Sequence, residues 1–356
     1  MRMRALVAAS AVLAVGVMTT GGGVAAASAL KPAIRAGRST TAAGARSAQA
    51  TGGDGSVAPA GKRVRAGICT SPPTYRKLAE RLSADIRGAL LSRDDDHAVA
   101  VYDTVTGVSC YADSDTHFSS ASIVKAIILA ALLRLHQQTG TPLSSWENDE
   151  ATLMITQSDN DAATDLWDEV GMRRLQDFLD LAKMDQTRLG EDGYWGLTQV
   201  TAHDEMLLLE LLTRPNSVLT AASRAYQLGL MARVISSQRW GTPAGAPSGV
   251  TVHVKNGWLP DGSGWHVNSI GAFTGDDRNY LIAVLTDENE SEQEGIDTIE
   301  AVARVVHRDL NQGRLIPRAR LAASVASPAP TAWAVVPALP TPAPAPAPAS
   351  APASAP

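Results

Sequence analysis

An uninterrupted apolar run after Lys125 is the feature that most narrows what this chain can fold into. Residues 126–133, AIILAALL, predict a buried helix that begins near Ser122. Ser122 and Lys125 are three residues apart, so both lie on one face of such a helix. A serine hydroxyl is a poor nucleophile until a base takes its proton, and burial lowers the pKa of a lysine enough for that task. The pair therefore predicts a nucleophilic Ser122 with Lys125 as general base.

Two further motifs follow in order along the chain and favour the same interpretation. Ser158-Asp159-Asn160 lies in a turn between two predicted helices, and Lys255-Asn256-Gly257 lies at the end of a predicted strand. A Ser-x-x-Lys motif alone carries little weight, since Ser28 and Lys31 form another one near the N-terminus. Three motifs in this order, each on a suitable element, indicate a catalytic site.

Together the motifs resemble the active-site signature of the serine β-lactamases and penicillin-binding proteins, above all the class A enzymes. The similarity extends from about residue 74 to about residue 311 and is carried by FSSASIVK at 118–125, MITQSDNDAA at 154–163 and KNG at 255–257. The phrases YWGLT at 194–198 and KNGW at 255–258 are also similar to secreted actinobacterial proteins called serine hydrolases.

This resemblance implies a role for each motif residue. Ser122 would form the acyl-enzyme, Lys125 would be the base for acylation, and Ser158 would pass the proton to the leaving nitrogen. The backbone N–H groups of Ser122 and Trp258 would form the oxyanion hole. Asp159 would tie down its loop. The implied substrate-binding residues are Asn160, Lys255, Asn256, Gly257 and Trp258.

Two features of the Lys255 motif leave its role open. Asn256 replaces the Thr or Ser hydroxyl that the family usually has, so recognition of a substrate carboxylate is altered. An Asn-Gly pair is also the commonest signal of a hairpin turn. Asn256-Gly257 can therefore be a turn and nothing more.

The family's deacylating glutamate has no clear counterpart. Glu191 and Asp192 are the candidates for a substitute base, and the alternative is a solvated turn between Gly190 and Gly193. We favour the turn. A β-lactam is then expected to acylate Ser122, and the acyl group is expected to be hydrolysed from it slowly.

Composition divides the chain into four regions. Residues 1–27 are predicted to be a signal peptide, because Arg2 and Arg4 precede an apolar run and Ala25-Ala26-Ala27 offers a cleavage site. We predict a disordered linker at 28–66, a β-lactamase-like domain at 67–315 and a disordered Pro/Ala-rich tail at 316–356. The protein is expected to be secreted. The tail is either a spacer through the cell wall or a low-complexity segment without a role.

The cysteines, the net charge and the histidines limit which partners and cofactors are expected. Cys69 and Cys110 in an exported chain favour a disulfide, with two free thiols as the alternative. A net charge of −5 and the lack of a basic cluster interleaved with aromatics argue against nucleic acid. The histidines show no metal-ligand spacing, so we expect neither metal nor cofactor. The expected partner is a small β-lactam or cell-wall peptide, without stable membrane insertion, and a monomer is expected.

Apolar periodicity predicts an α+β fold. Strands at 98–103 and 108–111, and again at 250–255, 266–273 and 280–285, enclose a helical region. They predict an antiparallel sheet of about five strands flanked by helices, plus a helical subdomain. The active site would lie in the cleft between the sheet and that subdomain.

The leading hypothesis is a secreted serine hydrolase that is acylated at Ser122 by β-lactams or related amides and hydrolyses them. One alternative is a peptidoglycan DD-peptidase or an esterase. Another is a non-catalytic module that binds or senses penicillin.

Overall fold

The computed structural model describes residues 67–93, 95–275 and 277–312. All of them fall within the domain predicted at 67–315. The predicted signal peptide, linker and tail lie outside the described residues. Within the described ranges, no helix is both long enough and apolar enough to cross a membrane.

The described strands form a six-stranded antiparallel sheet and a separate pair. They are β1 (Cys69–Thr70), β2 (Asp96–Asp103), β3 (Val108–Ala112), β4 (Phe118–Ser119), β5 (Gln199–Val200), β6 (Val250–Pro260), β7 (Trp265–Gly275) and β8 (Arg278–Asn289). The sheet order is β1-β3-β2-β8-β7-β6, and β4 pairs with β5. The predicted α+β fold is confirmed. Its sixth strand, β1, has only two residues, too few to give a periodic signal.

Most of the helices lie between the N-terminal and C-terminal strands in sequence. The described α-helices are α1 (Arg76–Leu90), α2 (Val124–Thr139), α3 (Ser145–Thr156), α4 (Asn160–Val170), α5 (Met172–Ala182), α6 (Ala202–Thr213), α7 (Ala221–Met231) and α8 (Glu292–Asn311). Short 3₁₀ helices directly precede two of the described helices, α1 and α2. One of these, Ala121–Ile123, carries Ser122, so the predicted nucleophile lies just before α2 rather than within it.

Helices cover both faces of the sheet, and the alternation of strand side chains explains why. Ala98 and Ala100 of β2 pack in one core with α2, whereas Val99 and Val101 pack in a second core with α1 and α8. Successive strand residues point to opposite faces, so a strand with apolar residues at every position must be covered twice. This arrangement places α2 against the sheet face that leads to the site.

Helix α2 is buried along its first ten residues, 124–133, and Lys125 is among them. Its neighbours include α3, α4, α5 and α7. Gly140 ends the helix in the left-handed conformation, at φ 69°. A lysine held on such a helix cannot reach bulk water, so its amine must find partners inside the protein.

A disulfide joins Cys69 of β1 to Cys110 of β3, and the two residues are direct partners in the ladder. Replacing both with serine is expected to lower the free energy of unfolding by about 2–4 kcal/mol, because a cross-link restricts the unfolded chain. Urea unfolding followed by circular dichroism measures the change. Reductant should lower the urea midpoint of the native protein by a similar amount and leave the midpoint of the double variant unchanged. An unchanged midpoint in the double variant would contradict the prediction.

Candidate active site

Three parts of the fold meet around Ser122. They are the 3₁₀ helix that carries Ser122, the loop between α3 and α4, and strand β6 at the edge of the sheet. All three sequence motifs therefore come together, each on its own element. The side chain of Ser122 is half-buried.

Lys125 is completely buried, and all of its donor capacity is used. Its Nζ donates to the backbone oxygen of Ser158 at 2.7 Å, to Oδ1 of Asn160 at 2.7 Å and to Oγ of Ser158 at 3.2 Å. Burial lowers the pKa of Lys125 to about 7, although the charge of Asp159 opposes the change. A substantial fraction of this amine is therefore neutral near pH 7, as a general base must be.

The hydroxyl of Ser158 lies between two lysine amines. Besides Lys125, it accepts a hydrogen bond from Nζ of Lys255 at 3.0 Å. Lys255 is also fully buried, and its Nζ donates to the backbone oxygen of Asn256 at 2.7 Å. Burial and the nearby charge of Lys125 hold the pKa of Lys255 well below its ordinary value. One hydroxyl thus accepts hydrogen bonds from both amines.

Backbone conformation and capping hold the Ser158 loop. Ser158 has a φ of 59°, a left-handed conformation that non-glycine residues seldom adopt. Asp159 is the N-cap of α4, and its carboxylate accepts from the backbone N–H of Ala162 at 2.9 Å. This contact is the loop-fixing role expected of Asp159. Asn160, the first residue of α4, then faces Lys125 directly.

Strand β6 divides the Lys255 motif between its two faces. Asn256 pairs with Ser269, and Gly257 pairs with Asn268, in the middle of the β6–β7 ladder. The motif is therefore part of a strand, and the alternative of a simple hairpin turn is wrong. Alternation places Lys255 and Gly257 on the side of Ser158 and Ser122, with Asn256 and Trp258 on the other.

Asn256 uses its amide on the protein itself. The side chain is buried, and Nδ2 donates to the backbone oxygens of Gln238 at 2.9 Å and Trp240 at 3.0 Å. Its amide thus fastens the segment after α7 to β6. Trp258 is half-buried and makes an edge-to-face contact with Trp240, at 5.8 Å between ring centroids. Substrate contacts of Asn256 and Trp258 remain predictions.

Gly257 lets the sheet approach the backbone of Ser122. A Cβ at this position would lie 2.6 Å from the backbone nitrogen of Ser122 and 2.8 Å from the backbone oxygen of Ser120. Opposite Gly257 in the ladder, buried Asn268 donates to the backbone oxygens of Ser119 at 2.8 Å and Ser120 at 3.2 Å. Sequence reasoning missed Asn268, although an amide inside an apolar strand is a detectable signal.

Glu191 and Asp192 lie on the surface. Both are exposed, and Glu191 borders a groove that also includes Met172 and Arg173. Asp192 has a φ of 52° in a turn. Within the described chain, neither carboxylate makes a hydrogen bond or ion pair with Ser122 or Lys125. Their position fits the solvated turn.

Trp195 lies where sequence reasoning assigned no function. Its ring covers Lys125, with Nζ 4.8 Å from the ring centroid. Among the described residues, no group of three or more His, Cys, Asp or Glu is arranged to hold a metal ion. The groups that meet around Lys125 and Ser158 are thus two amines, one hydroxyl, one amide and an aromatic ring.

Residues 147–310 match the model of the beta-lactamase enzyme family. The domain is similar to the β-lactamases in this part of its sequence. The matched segment contains the Ser158 loop and the Lys255 strand and begins after Ser122, and the predicted resemblance to β-lactamases and penicillin-binding proteins is confirmed. No curated protein matches the chain.

Solved structures share the fold of this β-lactamase-like domain. A class A β-lactamase from Bacteroides cellulosilyticus is 16% identical, with a TM-score of 0.58, over 65% of this chain and 98% of that one. PBP-A is 20% identical, with a TM-score of 0.57, over 65% of this chain and 96% of that one. A mutant of the class A β-lactamase of the last common ancestor of Gram-negative bacteria is 22% identical, with a TM-score of 0.56, over 65% and 99%. At these identities the likeness establishes the fold.

The contact at Gly257 gives a direct test of the site. Gly257→Ala should slow acylation of Ser122 by at least about 100-fold, because the new Cβ displaces the Ser122 backbone N–H from its predicted place in the oxyanion hole. Stopped-flow acylation with a chromogenic cephalosporin measures the rate. Gly88→Ala is the control, since a Cβ there meets nothing within 4 Å. Equal rates for the Gly257 variant and the native protein would contradict the assignment.

Proposed function

We propose that this β-lactamase-like protein is a secreted serine acyl-transfer enzyme, acylated at Ser122 by β-lactams or related amides. The observation that carries the proposal is the Ser158 hydroxyl, held 3.2 Å from Nζ of Lys125 and 3.0 Å from Nζ of Lys255. This row of hydrogen-bonded groups is suited to transfer a proton from a nucleophile to a leaving group. The fold alone would not require it.

The proposed acylation gives the two amines different roles. Neutral Lys125 takes the proton of the Ser122 hydroxyl as Oγ forms a bond to the substrate carbonyl carbon. The developing oxyanion accepts from the backbone N–H groups of Ser122 and Trp258. When the carbon–nitrogen bond breaks, Ser158 donates its proton to the leaving nitrogen and takes one from Lys125. Lys255 attracts the substrate carboxylate through its positive charge.

Hydrolysis of the acyl-enzyme is proposed to be slow. It needs a water molecule activated beside the ester, and Glu191 and Asp192 lie exposed in a turn. We therefore expect a weak β-lactamase, in which the acylated form accumulates.

A second candidate is a peptidoglycan DD-peptidase or esterase. The exposed position of Glu191 and Asp192 favours it, because such an enzyme need not hydrolyse penicillin quickly. PBP-A shares the fold, and a mutant of PBP-A has been solved as an acyl-enzyme complex with penicillin G. Turnover of a D-Ala-D-Ala peptide in preference to nitrocefin would favour this candidate.

Intact-protein mass spectrometry after brief exposure to penicillin G tests the proposal. The expected result is an adduct of one penicillin that persists after excess drug is removed. Ser122→Ala should give no adduct. Ser145→Ala, an exposed serine on α3, is the matched control and should react like the native protein. An adduct that survives in Ser122→Ala would overturn the assignment of the nucleophile.

The pH dependence of acylation tests the role of Lys125. The pKa of Lys125 is lowered to about 7, so the amine is protonated below that pH and neutral above it. The acylation rate should therefore rise through pH 7 and level off above it. Lys125→Arg should show no such rise and should be at least about 100-fold slower, because a guanidinium does not lose its proton. A flat profile in the native protein would contradict the role of Lys125.

A further inference from the structure

Trp195 lies over Lys125, the amine that the proposed acylation uses as its base. Its ring centroid is 4.8 Å from Nζ of Lys125. The three hydrogen-bond partners of that amine come from Ser158 and Asn160. The ring occupies a further side of Nζ with a surface that is a poor hydrogen-bond partner for water.

Several contacts fix the position of this ring. Trp195 begins the 3₁₀ helix Trp195–Leu197, and its Nε1 donates to Oγ1 of Thr164 on α4 at 3.1 Å. The next residue, Gly196, accepts from Oγ of Ser120 at 3.4 Å through its backbone oxygen. The backbone N–H of Ser120 in turn donates to the oxygen of Thr198 at 2.8 Å. The segment is thus fastened to the chain just ahead of Ser122.

The two halves of the reaction place different demands on Lys125. Acylation moves a proton between side chains three residues apart and needs no water. Hydrolysis needs a water molecule whose oxygen bonds to the acyl carbon while its proton passes to a base. The ester bond to Oγ of Ser122 then breaks, and Oγ recovers a proton. Only the second half requires open space for water beside Nζ.

We infer that Trp195 determines the lifetime of the acyl-enzyme by keeping water away from Lys125. The inference rests on the proposed acylation at Ser122 and adds a specificity-determining residue to it. Acylation proceeds with the ring in place, and hydrolysis is slowed by it. The same side chain thereby makes the protein a long-term binder of acylating compounds.

Four variants test this role in the full-length protein, each acylated with penicillin G and freed of excess drug. Trp195→Ala should lose the adduct at least tenfold faster than the native protein and release hydrolysed penicillin. Trp195→Phe keeps a ring over Lys125 but loses the hydrogen bond from Nε1 to Thr164, so its rate should lie between those of Trp195→Ala and the native protein. Thr164→Val removes the hydrogen-bond partner of Nε1 on an exposed part of α4 and should give an intermediate rate. Trp146→Ala, at a half-exposed tryptophan on α3, is the control and should match native.

A second readout separates this role from mere structural support. Trp195→Ala admits water to Lys125, so the pKa of the amine should rise towards its ordinary value. The midpoint of the acylation rate against pH should therefore move upward in Trp195→Ala and stay in place in Trp146→Ala. A loss of packing without exposure of the amine would not move it.

The outcomes distinguish this inference from the function beneath it. If the native protein forms no adduct, the proposed acylation fails, and the inference fails with it. If the native adduct forms but its lifetime is unchanged in both Trp195→Ala and Thr164→Val, only the role of Trp195 is wrong. A Trp195→Ala variant that folds but no longer acylates would also overturn the inference, since the ring would then serve acylation.

Discussion

The site depends on one hydroxyl shared by two buried amines. Taking a single cation out of water is unfavourable, and two beside each other repel as well. The protein meets this by giving Lys125 and Lys255 oxygen partners in place of water, and by lowering the pKa of both. Helix α2, the α3–α4 loop and strand β6 must converge for these partners to be present. The same convergence that gives the two lysines their partners buries Lys125 and so lowers its pKa to about 7.

A second constraint is the close approach of sheet and helix at Gly257. The β6 backbone lies so near the Ser122 backbone that no side chain fits between them. Asn268, across the ladder, holds the oxygens of the two residues Ser119 and Ser120 ahead of the nucleophile. The position of Ser122 is therefore set by contacts to the main chain at and just before it. The alternation of side chains along β6 then decides which residues of that strand lie on the side of Ser122.

The sequence was sufficient to predict the architecture and the meeting of its motifs. The apolar run after Lys125 and the strand patterns at both ends are long and periodic, and their elements appear in the structure. The two-residue strand β1 was missed because such a short segment has no period. The contacts of Trp195 and Asn268 were missed for a different reason. They join segments far apart in the chain, from 195 to 125 and from 268 to 119, and local patterns carry no information on such distances. The hydrogen bonds from Asn256 to the backbone of Gln238 and Trp240 were missed for the same reason.

The short strand β1 also affects how the sheet ends. A sheet edge offers unpaired N–H and C=O groups to any strand that meets it, and long flat edges promote association between chains. Here the edge beside β3 is occupied by two residues, and the bond between Cys69 and Cys110 holds them in register. A passing chain would find room for very few ladder hydrogen bonds at β1. The opposite edge of the described sheet is β6, an outer strand of eleven residues that carries Lys255 and Gly257. Of the two outer strands, the one that is long enough to pair with another chain over many residues is therefore the one that lies against the backbone of Ser122.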